Sequence, residues 1–456
     1  MTEFILAVFS GLLLILVFPK ADLYLFAYVA LVPLLVSLKR SRSILEAAFC
    51  GAICGVIFFG GVLSCVNILS KWAGPWAYLA WAALAAAEGL YIAAFAGISK
   101  YLSGKFPNMD IILVPLTWTA IEWIRSLGPY GVTGGGLGYS QADFLMVLQI
   151  ASVLGVYGIS FIIVLFNEAV AGVFLEKRTA ALGLAILILT FVLGFGSYRI
   201  NAFKELGKPV NLAVIQANIS QDVKLDYNYA HQIVNAHEIM SRKALSSRPD
   251  IMIWPETAVT TYLFESSAML KKIRGLAAGG DAFYLIGTPY RDKGKIYNSV
   301  VALSKNGNLI GRYDKQRLIP FGEYLPIRPF FYRLLGENPL FAEDYNPNPR
   351  PELIDLGIAK VGVVICFEST LPYLVRDKVK RGAQFILVAT NDAWFFDSSA
   401  PYQHIQAAQM RAVESGMYVV QAANTGISAI IDPLGRIVKS SKVGQACVLS
   451  GTIYVH

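Results

Sequence analysis

Long apolar runs crowd into residues 1–200 and give way to ordinary mixed sequence over residues 201–456. No other feature restricts the fold of this chain as strongly. A run of roughly 20 apolar residues is long enough to cross a bilayer, and in lipid only a helix or a closed barrel satisfies every backbone polar group. The chain is 55% hydrophobic and 15% charged, where soluble domains have about 45–50% and about 25%. The excess belongs to the first part, which implies two parts for two solvents. Residues 1–200 are expected to form a transmembrane helical domain, and residues 201–456 a globular one.

Candidate spans cover about 4–18, 23–38, 44–69, 76–98, 111–126, 144–175 and 180–198, about seven in all. The first run has the apolarity of a signal peptide, but Met1, Thr2 and Glu3 supply no basic start, so it reads as a retained helix. Basic residues follow every second span: Lys39, Arg40 and Arg42, then Lys100 and Lys105, then Lys177 and Arg178. The alternate loops hold mainly Lys20, Lys71 and Arg125. The positive-inside rule then puts the even-numbered exits in the cytoplasm and residues 201–456 on the other side. Glu88, Glu122 and Glu168 fall in or near apolar runs, where an ionisable group is either a functional candidate or one that lies near a span end or is satisfied by its neighbours. The glycine run Gly134–Gly138 lacks the strand before and helix after that a phosphate loop needs.

The net charge is +8, but the basic residues form no long cluster, so orienting the helices accounts for them better than nucleic acid does. Of the five cysteines, Cys50, Cys54 and Cys65 are expected in the membrane core, and Cys447 buried in a late strand. No Cys-x-x-Cys pair occurs and the four histidines lack ligand spacing, so neither a disulfide framework nor a metal or other cofactor is expected.

In the second part, short β-branched runs predict strands at 210–217, 250–254, 282–289, 297–303, 361–365, 385–389, 418–423 and 427–432. Helices are expected over 227–246 and about 401–416. Strands alternating with helices, then late hairpins, indicate an α/β layered domain.

The chemistry collects at strand ends. Cys366 follows an apolar strand directly, where a thiol can meet a substrate, although a cysteine also packs well as a small hydrophobe. Glu256 ends another strand behind Trp254 and Pro255. A carboxylate there can take a proton from a nearby thiol. Lys315 is either a solvated loop charge or a cation that favours thiolate and stabilises an oxyanion.

The order Glu, Lys, Cys within IWPET (Glu256), RYDKQRLIPFGEYLP (Lys315, Glu323) and VVICFES (Cys366, Glu368) resembles the nitrilase superfamily. NDAWF (Asn391 to Phe395) and QHIQAAQMRAVES follow, and GLGYSQ (Gly136 to Gln141) lies in the apolar half. Together with the helices, these motifs resemble the apolipoprotein N-acyltransferase family over most of the chain. The resemblance implies an α-β-β-α sandwich facing the periplasm of a bacterial inner membrane. It implies a ping-pong reaction in which Glu256 deprotonates Cys366, the thiolate takes a fatty acyl chain from a phospholipid such as phosphatidylethanolamine, and the α-amine of a lipoprotein's diacylglyceryl-cysteine receives it. Lys315 would hold the oxyanion, with Glu323 and Glu368 as supporting carboxylates. Trp394 would belong to a mobile loop near the site. Trp254, Asn391 and Phe367 are further candidates for touching substrate or shaping the loops. A monomer suffices for this chemistry.

Three departures stand out. Phe367 replaces a common tyrosine, and Phe396 replaces a common glycine after Trp394-Phe395. The family's usual final transmembrane helix has no counterpart before His456, so a tether from one side is expected. The arm Pro326–Leu340, with Phe330 and Phe331, is rich in apolar residues that either dip into lipid headgroups or pack on the domain. Two rival readings keep part of this picture: a membrane-anchored amidase or nitrile hydrolase that passes the acyl group to water, and a receptor or transporter for which Cys366 is dispensable.

Overall fold

A computed structural model gives the fold and describes residues 1–176, 178–335, 343–350 and 352–456. Lys177 of the basic loops and residues 336–340 of the arm lie outside the described residues. The chain forms two compact units, Met1–Phe203 with Ser398–Glu414, and Lys204–Asp397 with Ser415–His456. The segment 398–414, read from sequence as part of the globular domain, thus makes its contacts in the first unit.

The first unit is helical. Among the described residues, four helices are long and apolar enough to cross a membrane: Ile44–Val62, Trp76–Lys105, Ala151–Leu175 and Thr179–Ala202. The other three expected spans are shorter. They form Thr2–Leu16, the pair Ala27–Ala30 and Val32–Arg40, and Asp110–Arg125. Cys50, Cys54 and Cys65 are buried among these helices. The acidic residues are engaged within the unit. Glu88 pairs with Arg125 at 2.9 Å and Glu168 with Lys39 at 2.6 Å, while Glu122 accepts bonds from the Trp118 indole and the Leu137 amide. Arg125 is therefore a buried ion-pair partner, and Lys39 a half-buried one, rather than loop charges. In the glycine run, the Gly138 amide donates to Ser160 Oγ, so amides a phosphate would need already serve the fold.

A break in the helix Ala151–Glu176 explains why Ser398–Glu414 sits in this unit. Gly155 leaves the helical region at φ 66°, and the Val156 N–H, freed by that break, donates to Glu414 Oε1 at 2.7 Å. Glu414 also pairs with the wholly buried Arg411, which donates to the Tyr139 hydroxyl at 3.3 Å. A helix end at membrane depth needs such a partner, because lipid offers its amides none.

The second unit is built on strands β1 (Lys208–Gln216), β2 (Ile251–Trp254), β3 (Phe283–Asp292), β4 (Lys295–Leu303), β5 (Leu309–Asp314) and β6 (Ile354–Asp355). They continue with β7 (Lys360–Ile365), β8 (Phe385–Thr390), β9 (Val419–Ala423), β10 (Ala429–Ile431), β11 (Ile437–Ser440) and β12 (Cys447–Val455). One sheet runs β12-β1-β2-β3-β4-β5 and the other β11-β10-β9-β8-β7-β6. In each, three neighbouring strands are parallel (β1, β2, β3 and β7, β8, β9), and antiparallel strands flank them.

Strand periodicity builds the layers. Leu212 and Val214 join Val363, Ile365, Leu387 and Val420 in a core between the sheets. The alternate residues Ala213, Ile215, Met252 and Trp254 face the other way. They meet the apolar stripes of helices Ala230–Ala244 and Ser267–Gly280, where Ile273, Leu276 and Ala277 recur at helical spacing. A helix Pro372–Lys380 packs on β7. The unit is an α/β sandwich of two sheets with helices outside, as expected. Among the described residues, three strands (β5, β6 and β11) and four helices (Gln221–Leu225, Ser267–Gly280, Arg328–Leu335 and Pro372–Lys380) add to the expected set. Cys447 lies in a late strand but is half-buried rather than buried.

The turn after β2 is set by a close approach. Its residues Pro255, Glu256 and Thr257 run so near β3 that a Cβ on Gly287 would lie 2.1 Å from the Pro255 carbonyl oxygen and 2.7 Å from Glu256 Cα. Thr257 itself takes a left-handed φ of 45°. We expect Gly287→Ala to push this turn away from the sheet and cost about 1–3 kcal/mol. A melting curve of the purified variant checks it, and a melting temperature equal to wild type would mean that the turn has room to spare.

Candidate active site

Three strand ends meet at the site. Glu256 follows β2, Lys315 follows β5, and Cys366 follows β7. Carboxyl ends of parallel strands are where α/β folds place their ligands, because the chain turns there and leaves side chains and peptide groups unpaired.

Lys315 is the hub. Its side chain is 1% exposed, and its ammonium lies 2.9 Å from Glu323 Oε1 and 3.4 Å from Glu256 Oε1. Asn298 of β4 links the two carboxylates, its amide donating at 2.8 Å to Glu256 and 2.7 Å to Glu323. Those two bonds use both hydrogens of one amide nitrogen. The Lys315 main-chain amide in turn donates to the Asn298 carbonyl at 2.8 Å. Glu323 Oε2 accepts from the Ile319 amide, which folds residues 319–323 back over the lysine. Burial acts to lower the Lys315 pKa, but the charges of Glu323 and Glu256 outweigh it and hold the ammonium above its ordinary value.

Glu368 is wholly buried and ties the lysine strand to the cysteine strand. Its Oε1 accepts from the amides of Gln316 and Arg317 at 2.7 and 2.9 Å. Its Oε2 accepts from the Ile365 amide at 2.7 Å and the Tyr313 hydroxyl at 2.9 Å. Burial raises its pKa, against the pull of Lys315 and these donors.

Cys366 sits at φ 55°, a left-handed conformation that costs a residue with a side chain roughly 1–3 kcal/mol and that clusters at functional sites. It is 6% exposed, and the Thr390 side chain at the end of β8, whose hydroxyl donates to Asp392 Oδ1 at 3.2 Å, acts to favour its thiolate. Burial first, then the charge of Glu256, push the thiol above its ordinary pKa, while Lys315 pulls it down. The resting cysteine is therefore a thiol, and it needs a base to become a nucleophile.

The remaining candidates separate. Asn391 is buried just beyond β8, and Trp394 is half-buried three residues further on. Phe367 packs partly against the core between the sheets. Phe396 takes φ 45°, in the left-handed region that favours glycine. Trp254 belongs elsewhere: it is wholly buried, donates to Ser241 Oγ at 2.9 Å and stacks on His237 at 4.9 Å, so it is packing under the sheet rather than a wall of the site. Phe330 is 61% exposed on the helix Arg328–Leu335, beside Phe331 and Phe321. Sequence reasoning missed Asn298, Thr390 and Tyr313. Only Asn298 carried a signal, as an amide just before the apolar run Val300–Leu303.

The electrostatics give a test with a definite sign. Replacing Glu256 by Gln removes a charge that opposes thiolate and leaves Lys315 to favour it. The Cys366 pKa is expected to fall in Glu256→Gln, read as thiolate absorbance during a pH titration with Cys366→Ala as the blank. A pKa that stays or rises would show that the carboxylate does not face the sulfur.

Comparison with known proteins finds relatives of both parts of the chain. Residues 211–454 match the carbon-nitrogen hydrolase family, and residues 10–169 match the apolipoprotein N-acyltransferase N-terminal domain. The apolipoprotein N-acyltransferase of Geobacter metallireducens is 33% identical, over 99% of this chain and 89% of its own length. That of Rickettsia prowazekii is 30% identical, over 98% of this chain and 90% of its own. Among solved structures, Saccharomyces cerevisiae Nit3, a member of the nitrilase superfamily, covers 56% of this chain and 93% of its own at 20% identity and a TM-score of 0.44.

Proposed function

From the premise that this chain belongs to the apolipoprotein N-acyltransferase family, we propose that it transfers a fatty acyl chain from a phospholipid to the α-amine of a diacylglyceryl-cysteine at a lipoprotein's N-terminus. The observation that carries the reading is the placement of Cys366: a strained, protonated thiol at a strand end, within the field of a buried ammonium and a buried carboxylate.

The steps follow from those charges. Glu256 takes the Cys366 proton as sulfur attacks the ester carbonyl of the donor. The tetrahedral oxyanion faces the Lys315 ammonium, which Glu323 keeps protonated and in place. Collapse breaks the ester bond, gives a thioester, and returns the proton from Glu256 to the departing lysophospholipid oxygen. The acceptor amine then attacks the thioester, Glu256 takes the amine's proton, the amide forms, and the sulfur leaves as thiolate and is reprotonated. Lys315 serves both oxyanions without changing protonation state.

Both substrates carry acyl chains, and span-length helices in the same chain replace extraction from lipid with a lateral encounter. We place the protein in the bacterial inner membrane with the second unit on the periplasmic side. Arg40, Arg42, Lys100, Lys105 and Arg178 support that orientation, and the burial of Arg125 removes one basic residue from the opposite side. The arm at Ile327, Phe330 and Phe331 supplies apolar side chains for the headgroup region.

Intact mass after incubation with phosphatidylethanolamine and no acceptor tests the chemistry. Wild type is expected to gain one fatty acyl mass and Cys366→Ala none; fatty acid released without an adduct would favour the hydrolase reading instead. For the arm, the double substitution Phe330→Ser and Phe331→Ser is expected to raise the KM for the lipid donor several-fold with kcat little changed, on the order of what losing two interfacial aromatics costs. An unaltered KM would remove the arm from lipid contact.

A further inference from the structure

Between β1 and the helix Ala230–Ala244, the chain makes a short turn of helix, Gln221–Leu225, that buries a lysine. Lys224 is 7% exposed, and its ammonium donates to the main-chain carbonyl of Glu256 at 3.2 Å. A lysine in a connecting segment ordinarily reaches for water, since dehydrating an ammonium and ordering its long side chain both oppose burial. Burial draws its pKa down to about 7 although the Glu256 charge opposes the fall. Something at this place compensates for keeping it inside.

The same turn reaches the other sheet. Gln221 Oε1 accepts from Asn391 Nδ2 at 3.0 Å, and Asn391 Oδ1 accepts from Asn424 Nδ2 at 2.9 Å. Asn424 is bonded to the segment itself, accepting from the Asn218 and Ile219 amides and donating to the Ile219 carbonyl. Its own amide donates to the Thr390 carbonyl at the end of β8. Residues 218–225 therefore grip the turn that bears Glu256 at one end and the strand ends of β8 and β9 at the other.

We infer that residues 218–225 are a strut that fixes the base relative to the sheet carrying the nucleophile, with Lys224 and Gln221 as its two positioning residues. The inference rests on the acyl-enzyme reading above. Glu256 is held twice: its carboxylate by Lys315 and Asn298, its peptide by Lys224. The turn packs against Gly287 of β3, and Lys224 adds a hydrogen bond to the Glu256 carbonyl, in the peptide that leads into Thr257 and its left-handed conformation. Neither strut residue touches the reacting atoms. Their effect is on the distance and angle at which Glu256 meets the thiol, to which proton transfer and attack are steeply sensitive.

The experiment is single-turnover acylation of Cys366 by phosphatidylethanolamine in mixed micelles, followed by intact mass over a range of lipid concentrations. Lys224→Met has no donor for the Glu256 carbonyl, and Lys224→Gln keeps a neutral one. Lys224→Met is expected to lower the maximal acylation rate by about tenfold or more with the half-saturating lipid concentration unchanged, since the loss is one of alignment. Lys224→Gln is expected to recover most of that rate. A wild-type rate in Lys224→Met overturns the strut, as does a folded Lys224→Gln as slow as Lys224→Met. Should Lys224→Met fail to fold, Gln221→Leu tests the other end, with the same fall in rate expected and a wild-type rate overturning the inference. An absence of adduct in wild type would instead defeat the acyl-enzyme reading and the strut with it.

Discussion

Everything at the candidate site depends on keeping one ammonium charged in a place without water. An isolated charge buried like Lys315 would lose its proton or unfold its surroundings. Here two carboxylates share it, and a single asparagine amide bridges those carboxylates. The arrangement dictates much of the neighbouring backbone. The segment after Lys315 must turn back so that Glu323 can reach it. The strand bearing Asn298 must lie between the base and the lysine. Glu368 must hold the exits of β5 and β7 together, which it does with four accepted hydrogen bonds and no solvent contact. Mutual dependence of this kind makes the site rigid, because no member can move without leaving a buried charge unpaired.

Much of this arrangement is legible in the amino-acid sequence. Short β-branched runs locate the strands that carry Glu256 and Cys366, since a fully buried parallel strand has little choice but to be continuously apolar. The spacing of the apolar runs locates the helices, though not their lengths. A hydropathy run does not distinguish the 16-residue helix Asp110–Arg125 from a full span when its polar residues are hidden in ion pairs. The helix Ser267–Gly280 escapes because Gly275, Gly279 and Gly280 mask a stripe that Met269, Ile273 and Leu276 otherwise mark at helical spacing. Strand β5 escapes because Arg312 and Asp314 interrupt its apolar pattern, and both serve ion pairs or hydrogen bonds along the sheet.

Among side chains, sequence reading identifies residue types with unusual chemistry and passes over those whose importance is purely geometric. Lys315 in sequence is one lysine among many, and only its motif singles it out. Lys224 has no such motif, and Trp254 has a persuasive one yet faces the helices. The alternation along β2 explains that outcome: Met252 and Trp254 share a face, while Ile251 and Ile253 point to the core between the sheets. At Phe396 the sequence difference and the backbone agree, since a left-handed φ is where a glycine would rest without strain and a phenylalanine does not.

The pairing of β1 with β12 bears on how such a protein is made. Nine residues of β1 are matched one for one with residues 447–455. Translation delivers the helices within residues 1–203 early, and β1 soon after, but the partner for its outer edge emerges only when more than two hundred further residues have been synthesised. Until then β1 presents an open row of amides and carbonyls of the kind that invites wrong partners. A ribosome that stalls before the codons of β12 would leave an anchored polypeptide with an unfinished sheet. Gln216, at the end of β1, extends the dependence, because its amide is bonded to the carbonyls of Gly426, Lys442 and Gln445. Completion of this half is thereby linked to the arrival of this late segment.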